Sequence, residues 1–217
     1  MDNLALQAMV CELRCAIVGQ TVQKVKFCDE APATLCLNLR SDGDLVVCLF
    51  PSLPLCFLSH IDLGLESRTS EQSTQLRKLL TGTRIISIKK EFGDRVVFFE
   101  LENRRFLPTR QRVTLVLELM SNRSNILVLE QTQQVLFRLH RPKTPSVSGP
   151  DLYTPPVSKS GIQYDGVSRE EFERLLLLHH GAGLPGRTSA LASALGLSQT
   201  TLGEILIPGP EPGMSRW

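Results

Sequence analysis

Arg84-Ile85-Ile86-Ser87-Ile88-Lys89-Lys90-Glu91-Phe92-Gly93-Asp94-Arg95-Val96-Val97-Phe98-Phe99-Glu100-Leu101-Glu102 is the stretch that decides the fold. β-Branched and aromatic residues fill both arms, which read as strands over residues 84 to 90 and 95 to 102. Between them Gly93-Asp94 fits the two central positions of a tight hairpin, where glycine supplies positive φ and aspartate caps its own turn. Residues 113 to 120, 125 to 130 and 134 to 139 continue the same pattern, so the hairpin belongs to a larger antiparallel sheet.

Working outward, residues 3 to 17 place Leu4, Ala8, Cys11, Cys15 and Val18 three or four apart, with Asp2 as N-cap and Gly19 as stop. That spacing predicts an amphipathic helix. Residues 21 to 28, 34 to 40 and 45 to 50 read as strands, the last two joined through Ser41-Asp42-Gly43-Asp44, and Pro51 and Pro54 then break the pattern. Residues 70 to 81 read as a helix opening at Ser70 or Glu71 and closing at Gly82, with Leu76, Leu79 and Leu80 inward and Arg77 and Lys78 outward. Helix, strands, helix and strands predict an α+β fold, an antiparallel sheet domain with packed helices over residues 1 to 140.

Five prolines and three glycines between Arg141 and Gly166 mark a linker or extended strap over 141 to 166. Beyond it, Ser168-Arg169-Glu170-Glu171 resembles a capping box opening a helix to Leu178, and residues 188 to 195 and 198 to 206 read as two short helices around Gly196-Leu197-Ser198. This gives a small helical segment over 167 to 207, and the proline- and glycine-rich residues 208 to 217 read as a disordered tail.

Composition narrows the function. No run approaches the roughly 20 apolar residues of a membrane span, and the N-terminus starts with an acid and has no basic n-region, so a cytoplasmic protein with no membrane partner is the simplest reading. The six cysteines (Cys11, Cys15, Cys28, Cys36, Cys48 and Cys56) show no metal-ligand spacing and read as reduced core thiols. His179-His180 at a helix end lack an acidic or cysteine partner at suitable spacing, so no metal is expected. Residues 76 to 143 hold fourteen Lys/Arg against six Asp/Glu, a local +8 within a chain of +2, which favours a polyanionic partner. GxSxG, HExxH and phosphate-loop motifs are absent, so neither an enzyme, a cofactor nor a small-molecule substrate is expected.

One arrangement of patches is more specific than any single motif. It runs from Asp2, Ala8-Met9-Val10-Cys11-Glu12-Leu13 and Val18-Gly19 through Leu76-Arg77-Lys78-Leu79-Leu80, Arg84 to Ile88 and Phe92-Gly93-Asp94-Arg95. It continues in Leu117 to Leu129, with Ser121-Asn122-Arg123-Ser124-Asn125 at its centre, and Gly149-Pro150-Asp151-Leu152-Tyr153-Thr154-Pro155-Pro156. This order resembles the N-terminal domain of the NFACT family over residues 2 to 156. The resemblance implies a fold similar to the N-terminal domain of formamidopyrimidine-DNA glycosylases, followed by a helix-hairpin-helix-like segment. Those glycosylases need Pro-Glu after the initiator methionine, and Asp2-Asn3 stands there, so base excision is not expected. The family continues into coiled-coil helices and a C-terminal RNA-binding domain, so the sequence reads as a truncated member.

By resemblance the partners are tRNA and a large ribosomal subunit still carrying a stalled peptidyl-tRNA, and the activity is recruitment of tRNA for C-terminal tailing without mRNA. The Asp94-Arg95 pair is then a tRNA contact, which suits the planar donor fork of arginine and the acceptor oxygens of aspartate. Lys89 and Lys90 adjoin it, and Asp2, most simply an N-cap, is ranked below the pair. Arg77, Lys78 and Arg123 are candidate phosphate contacts, and Arg104, Arg105, Arg110 and Arg112 belong to the same basic set. In the turn around Arg123 the family usually has Gly-Arg-His-Ser-Asn, so Ser121 replaces the glycine and Arg123 the histidine. Asn125 either caps that turn or binds RNA. A fibronectin-binding surface adhesin and a generic nucleic-acid-binding module are the two alternatives.

Overall fold

The computed structural model describes residues 3 to 30, 32 to 40, 43 to 65, 69 to 91, 94 to 103, 111 to 140, 151 to 156 and 168 to 178, together with Ser189, Leu191, Ala192, Gln199 and Leu202. The fold is α+β, as expected, built on two antiparallel sheets.

Helix α1 (Asn3–Ile17) opens the chain. It buries Leu6, Val10, Leu13 and Ile17 and exposes Leu4, Ala8, Cys11, Cys15 and Val18. This reverses the face expected from spacing. Both stripes repeat every three or four residues, but Leu6, Val10, Leu13 and Ile17 together remove more apolar area from water than a stripe whose middle is Ala8, Cys11 and Cys15. Gly19 then leaves the helix at φ +92.

Strands β1 (Val22–Cys28), β2 (Thr34–Leu39), β3 (Asp44–Cys48) and β4 (Leu55–Ser59) form the first sheet in that order. The Asp-Gly hairpin joins β2 to β3, with the Leu39 N–H donating to the Gly43 carbonyl at 3.0 Å. Gly43 has φ +88, and a Cβ there would lie 2.2 Å from the carbonyl oxygen of Ser59, so two independent constraints require glycine. Strand β4 was not anticipated. Pro51 and Pro54 read as breakers, yet Pro54 immediately precedes an edge strand, where its missing N–H costs no ladder bond.

Helix α2 (Glu71–Leu80) leads from the first sheet to the second. Ser70 caps it reciprocally with Ser73, whose own hydroxyl takes the role usually given to glutamate in a capping box. Strands β5 (Thr83–Lys90), β6 (Val96–Asn103), β7 (Gln111–Glu118), β8 (Asn125–Glu130) and β9 (Val135–Arg138) form a five-stranded meander. The start of β1 and the start of β5 are stitched together by Gly19 N–H to Ile85 carbonyl at 2.8 Å, Ile85 N–H to Gln20 carbonyl at 2.9 Å, and Gly82 N–H to Val22 carbonyl at 2.8 Å. Arg14 Nε adds a 2.6 Å bond to the Ile88 carbonyl, tying α1 to β5.

One apolar core collects the inner faces of both sheets with α1 and α2, through Leu6, Ile17, Phe27, Leu37, Leu76, Ile88, Phe99 and Leu117 among others. A second, smaller cluster lies on the other face of the five-stranded sheet, formed by Val96, Val116, Met120, Leu127, Leu129 and Tyr153. Val96 and Val97 are therefore both fully buried although they point to opposite faces.

Two compact units divide the chain. The first comprises Ala5–Glu91 and Arg95–Pro156 with Met1, and the second Val157–Trp217 with Asp2–Leu4 and Phe92–Asp94. In the second unit α3 (Arg169–Leu178) starts at Ser168, whose hydroxyl accepts from the Glu171 N–H at 3.2 Å. Most of the two short helices expected at 188 to 195 and 198 to 206, and all of the tail expected at 208 to 217, lie outside the described residues.

The six cysteines are free thiols, but only Cys36 and Cys56 are buried. Cys28 and Cys48 are half-buried, and Cys11 and Cys15 stand on the exposed face of α1, which corrects their reading as core residues. Burial pushes the Cys56 thiol from 9.0 to about 12. For Cys36 burial, followed by the hydrogen bond it donates to Asp44 Oδ2 at 3.3 Å, does the same, again to about 12.

Between pH 9.0 and about 12 the unfolded chain releases these two protons while the folded chain keeps them, so stability falls with rising pH across that window, and Cys56→Val flattens the fall in urea titrations. At neutral pH a thiol reagent labels Cys11 and Cys15 first, and Cys36 and Cys56 only after unfolding. Gly43→Ala should cost more than about 2 kcal/mol in the same titrations, since strain and clash coincide there.

Candidate nucleic-acid interface

The β5–β6 connection is closed by the Glu91 N–H, which donates to the Val96 carbonyl at 2.8 Å. Pairing therefore stops one step before the expected tight turn, and residues 92 to 95 make a four-residue connection with Gly93-Asp94 at its centre. Phe92 and Gly93 lie outside the described residues, as does Asp2. Asp94 and Arg95 are half-buried. The Arg95 carbonyl accepts from the Leu119 N–H at 2.8 Å, so the backbone of the arginine is anchored to the end of β7.

Register places other groups at this end of the sheet. Val96 stands opposite Glu118, and Glu118 opposite Asn125, so the β7–β8 connection with Arg123 lies at the same end as Arg95. Asn103 pairs with Gln111 at the other end of the sheet, and Arg104, Arg105 and Arg110 lie outside the described residues.

Lys89 and Lys90 adjoin the connection but point to opposite faces of β5. Lys89, opposite Phe98, lies on the outer face and pairs with Glu100 at 2.6 Å. That ammonium is the main reason the Glu100 carboxyl sits below its ordinary range. The pair is exposed, with side chains 62% and 40% accessible, so it is worth well under about 1 kcal/mol and a phosphate can displace the carboxylate. Lys90 is half-buried and donates to the Glu91 carbonyl at 3.0 Å. The two lysines therefore leave the strand on different sides.

Arg123 is exposed in a short 3-10 turn, Ser121–Arg123. Ser121 holds φ +51, the left-handed conformation that favours glycine, which explains why a glycine suits this position. Asn125 makes its side-chain bonds away from the turn around Arg123 and ties the start of β8 to residue 140. Its side chain donates to the His140 carbonyl at 3.0 Å and accepts from the His140 and Ile126 N–H groups, each at 3.0 Å, and the residue is buried.

Arg77 and Lys78 are elsewhere in the first unit, on α2 beside β1. Arg77 is half-buried rather than outward, and its Nε donates to the Val25 carbonyl at 3.3 Å, covering part of the open edge of the first sheet. An open groove of about 870 Å³ lies there, lined by Lys24, Lys26, Asp62, Arg77 and Thr81 among others, and Lys26 is paired with Asp62 at 3.3 Å. Lys78 is exposed. Arg112 is spent in part on Glu102 across the β6–β7 pair, at 4.0 Å.

Sequence reasoning missed Glu118 and Tyr153. Tyr153 Oη donates to Glu118 Oε1 at 3.1 Å, and burial, followed by the Glu118 charge, holds the tyrosine hydroxyl protonated well above its ordinary range. The available signal was an aromatic flanked by Pro150 and Pro155, a large apolar ring in a stretch otherwise composed as a linker. Among the described residues no group of three or more His, Cys, Asp or Glu side chains could hold a metal, and no helix is long and apolar enough to cross a membrane.

Asn125→Ala should lose about 1 to 3 kcal/mol in urea titration, because the buried Ile126 N–H and the part-buried N–H and carbonyl of His140 lose their partner, whereas Arg123→Ala should stay within about 0.5 kcal/mol of the wild type.

Comparison with known proteins gives a consistent family. The family model described as NFACT N-terminal and middle domains matches residues 2–207. Two proteins named Rqc2 homolog RqcH are similar in sequence. The one from Streptococcus suis is 27% identical over 143 residues, 61% of this chain and 24% of the relative. The one from Streptococcus pneumoniae is 27% identical over 141 residues, 64% of this chain and 25% of the relative. The chain thus spans about a quarter of the length of the curated relatives it matches. Two solved structures share the fold. The N-terminal domain of fibronectin-binding protein PavA from Streptococcus pneumoniae superimposes with a TM-score of 0.77 at 24% identity, covering 95% of this chain and 79% of that one. The N-terminal part of the fibronectin/fibrinogen-binding protein from Streptococcus suis gives 0.78 at 23% identity, covering 94% and 78%.

Proposed function

We infer that this chain, which belongs to the NFACT family, is a tRNA-binding module of a ribosome-associated quality-control factor. In this reading it binds tRNA together with a large ribosomal subunit carrying a stalled peptidyl-tRNA, in the cytoplasm. It recruits tRNA for mRNA-independent tailing of the nascent chain. Peptidyl transfer stays with the ribosome, so the module binds and orients and does not catalyse.

The observation that carries the reading is the placement of Arg95. Its backbone is held by the Leu119 N–H at the end of a five-stranded sheet, with Lys90 close in the chain and Arg123 at the same end. An arginine whose backbone is already ordered loses less conformational entropy when its guanidinium grips a phosphate or a base edge. Asp94 precedes it and supplies acceptors for a base amino group or a ribose hydroxyl. Lys89 and Arg123 add the sequence-independent phosphate attraction that brings a polyanion to this end.

Adhesion to fibronectin is the second reading, favoured by the names of the two structural neighbours. Binding of the purified chain to bulk tRNA, to purified large subunits and to immobilised fibronectin at near-physiological salt separates the two. Asp94→Ala/Arg95→Ala should weaken tRNA binding about tenfold or more in a protein that stays folded, and reduce the salt slope by about one for a lost phosphate contact. Unchanged tRNA affinity in that variant would reduce the pair to hairpin chemistry, and saturable binding to fibronectin alone would favour adhesion.

A further inference from the structure

The segment after β9 returns to the five-stranded sheet and closes over its outer face. The Val135 N–H donates to the Asp151 carbonyl at 2.8 Å, and the Tyr153 N–H donates to the Gln133 carbonyl at 3.0 Å. Gln134 and Leu152 form a bridge between these bonds, and Arg138 pairs with Asp151 at 3.0 Å. These contacts deliver the Tyr153 ring into the second apolar cluster, where it meets Phe98 edge to face with ring centroids 6.2 Å apart and planes at 74°. Only 7% of the residue remains exposed.

The hydroxyl of that ring ends on Glu118, the last residue of β7. Glu118 stands opposite Val96, and the next residue, Leu119, supplies the N–H that holds the Arg95 carbonyl. The path from strap to arginine is thus three consecutive contacts: Tyr153 hydroxyl to Glu118 carboxylate, Glu118 to Leu119 along the chain, and Leu119 N–H to Arg95 carbonyl. Ring packing alone would have been served by phenylalanine. A buried hydroxyl costs free energy unless it is bonded, so its presence here marks Glu118 as the group it restrains.

We propose that Tyr153, acting through Glu118, is a positioning residue for Arg95, so that the strap at 151 to 153 sets the geometry with which the chain meets tRNA. This rests on the tRNA-binding reading above. Tyr153 itself touches no RNA in this scheme. Its removal therefore changes affinity without changing the number of phosphates neutralised.

Four proteins test it with bulk tRNA across a salt series: wild type, Arg95→Ala, Tyr153→Phe and the double variant. Tyr153→Phe keeps the ring against Phe98 and deletes only the hydroxyl. The expected result is about a fivefold loss of affinity for Tyr153→Phe at an unchanged salt slope, and no further loss when it is added to Arg95→Ala, because coupled sites are not additive. Wild-type affinity in a folded Tyr153→Phe, while Arg95→Ala is weakened, would overturn the proposal and leave the tRNA reading standing, and so would additive losses in the double variant. Full affinity in Arg95→Ala would overturn the tRNA reading and the proposal with it.

Discussion

The five-stranded sheet is apolar on both faces, and both faces have to be covered. One face faces the main core through Val97, Phe99, Leu115 and Leu117. The other carries Val96, Val116, Leu127 and Leu129, which would be left in water by a two-layer α+β fold. At roughly 25 cal/mol per Å² of apolar surface, leaving four such side chains exposed would cost several kcal/mol. The strap at 151 to 153 and the ring of Tyr153 cover them. Burying the second face thus fixes residues 151 to 153, and it brings a tyrosine hydroxyl to the strand end from which the arginine is hung.

The same geometry decides how the excess positive charge is used. Over residues 76 to 143 the balance is +8, but Lys89 is paired with Glu100, Arg112 with Glu102 and Arg138 with Asp151. Arg77 and Arg84 donate to main-chain carbonyls, of Val25 and Gly19 respectively. Much of the basic excess therefore serves the fold as well as any partner. What distinguishes the turn end is less the amount of charge than its order: a main-chain-anchored arginine, a neighbouring aspartate, and lysines on both strand faces. Charge sets how strongly any polyanion is attracted, and ordered donors and acceptors set which one is retained.

Elements with local signals were legible in the sequence. The α2 helix opens at the Ser70 cap and ends at the Thr81 cap, one residue before Gly82, and the β2–β3 and β5–β6 hairpins are marked by Asp-Gly and Gly-Asp pairs, although the β5–β6 ladder closes one step before the expected tight turn. Features set by pairing partners far along the chain were not. Two stripes of α1 satisfied the helical period, and side-chain volume against the sheets chose between them. Strand β4 follows two prolines that are harmless only because the strand is an edge. The salt bridge of Lys89 depends on Glu100 lying across a hairpin, and the role of Asn125 depends on His140, fifteen residues on, so neither can be read without register. Asp94 and Arg95 were found through their place in a family pattern, whereas Glu118 and Tyr153 required the fold.

The most direct test of tRNA recognition at this end of the sheet is amide hydrogen exchange of the chain with and without bulk tRNA. The account predicts added protection in residues 89 to 96 and 119 to 124, the two connections that share the end of the sheet, with little change in residues 131 to 134 at the opposite end. Protection confined to the groove beside Lys24 and Arg77, or absent from both connections while tRNA is bound, would contradict it.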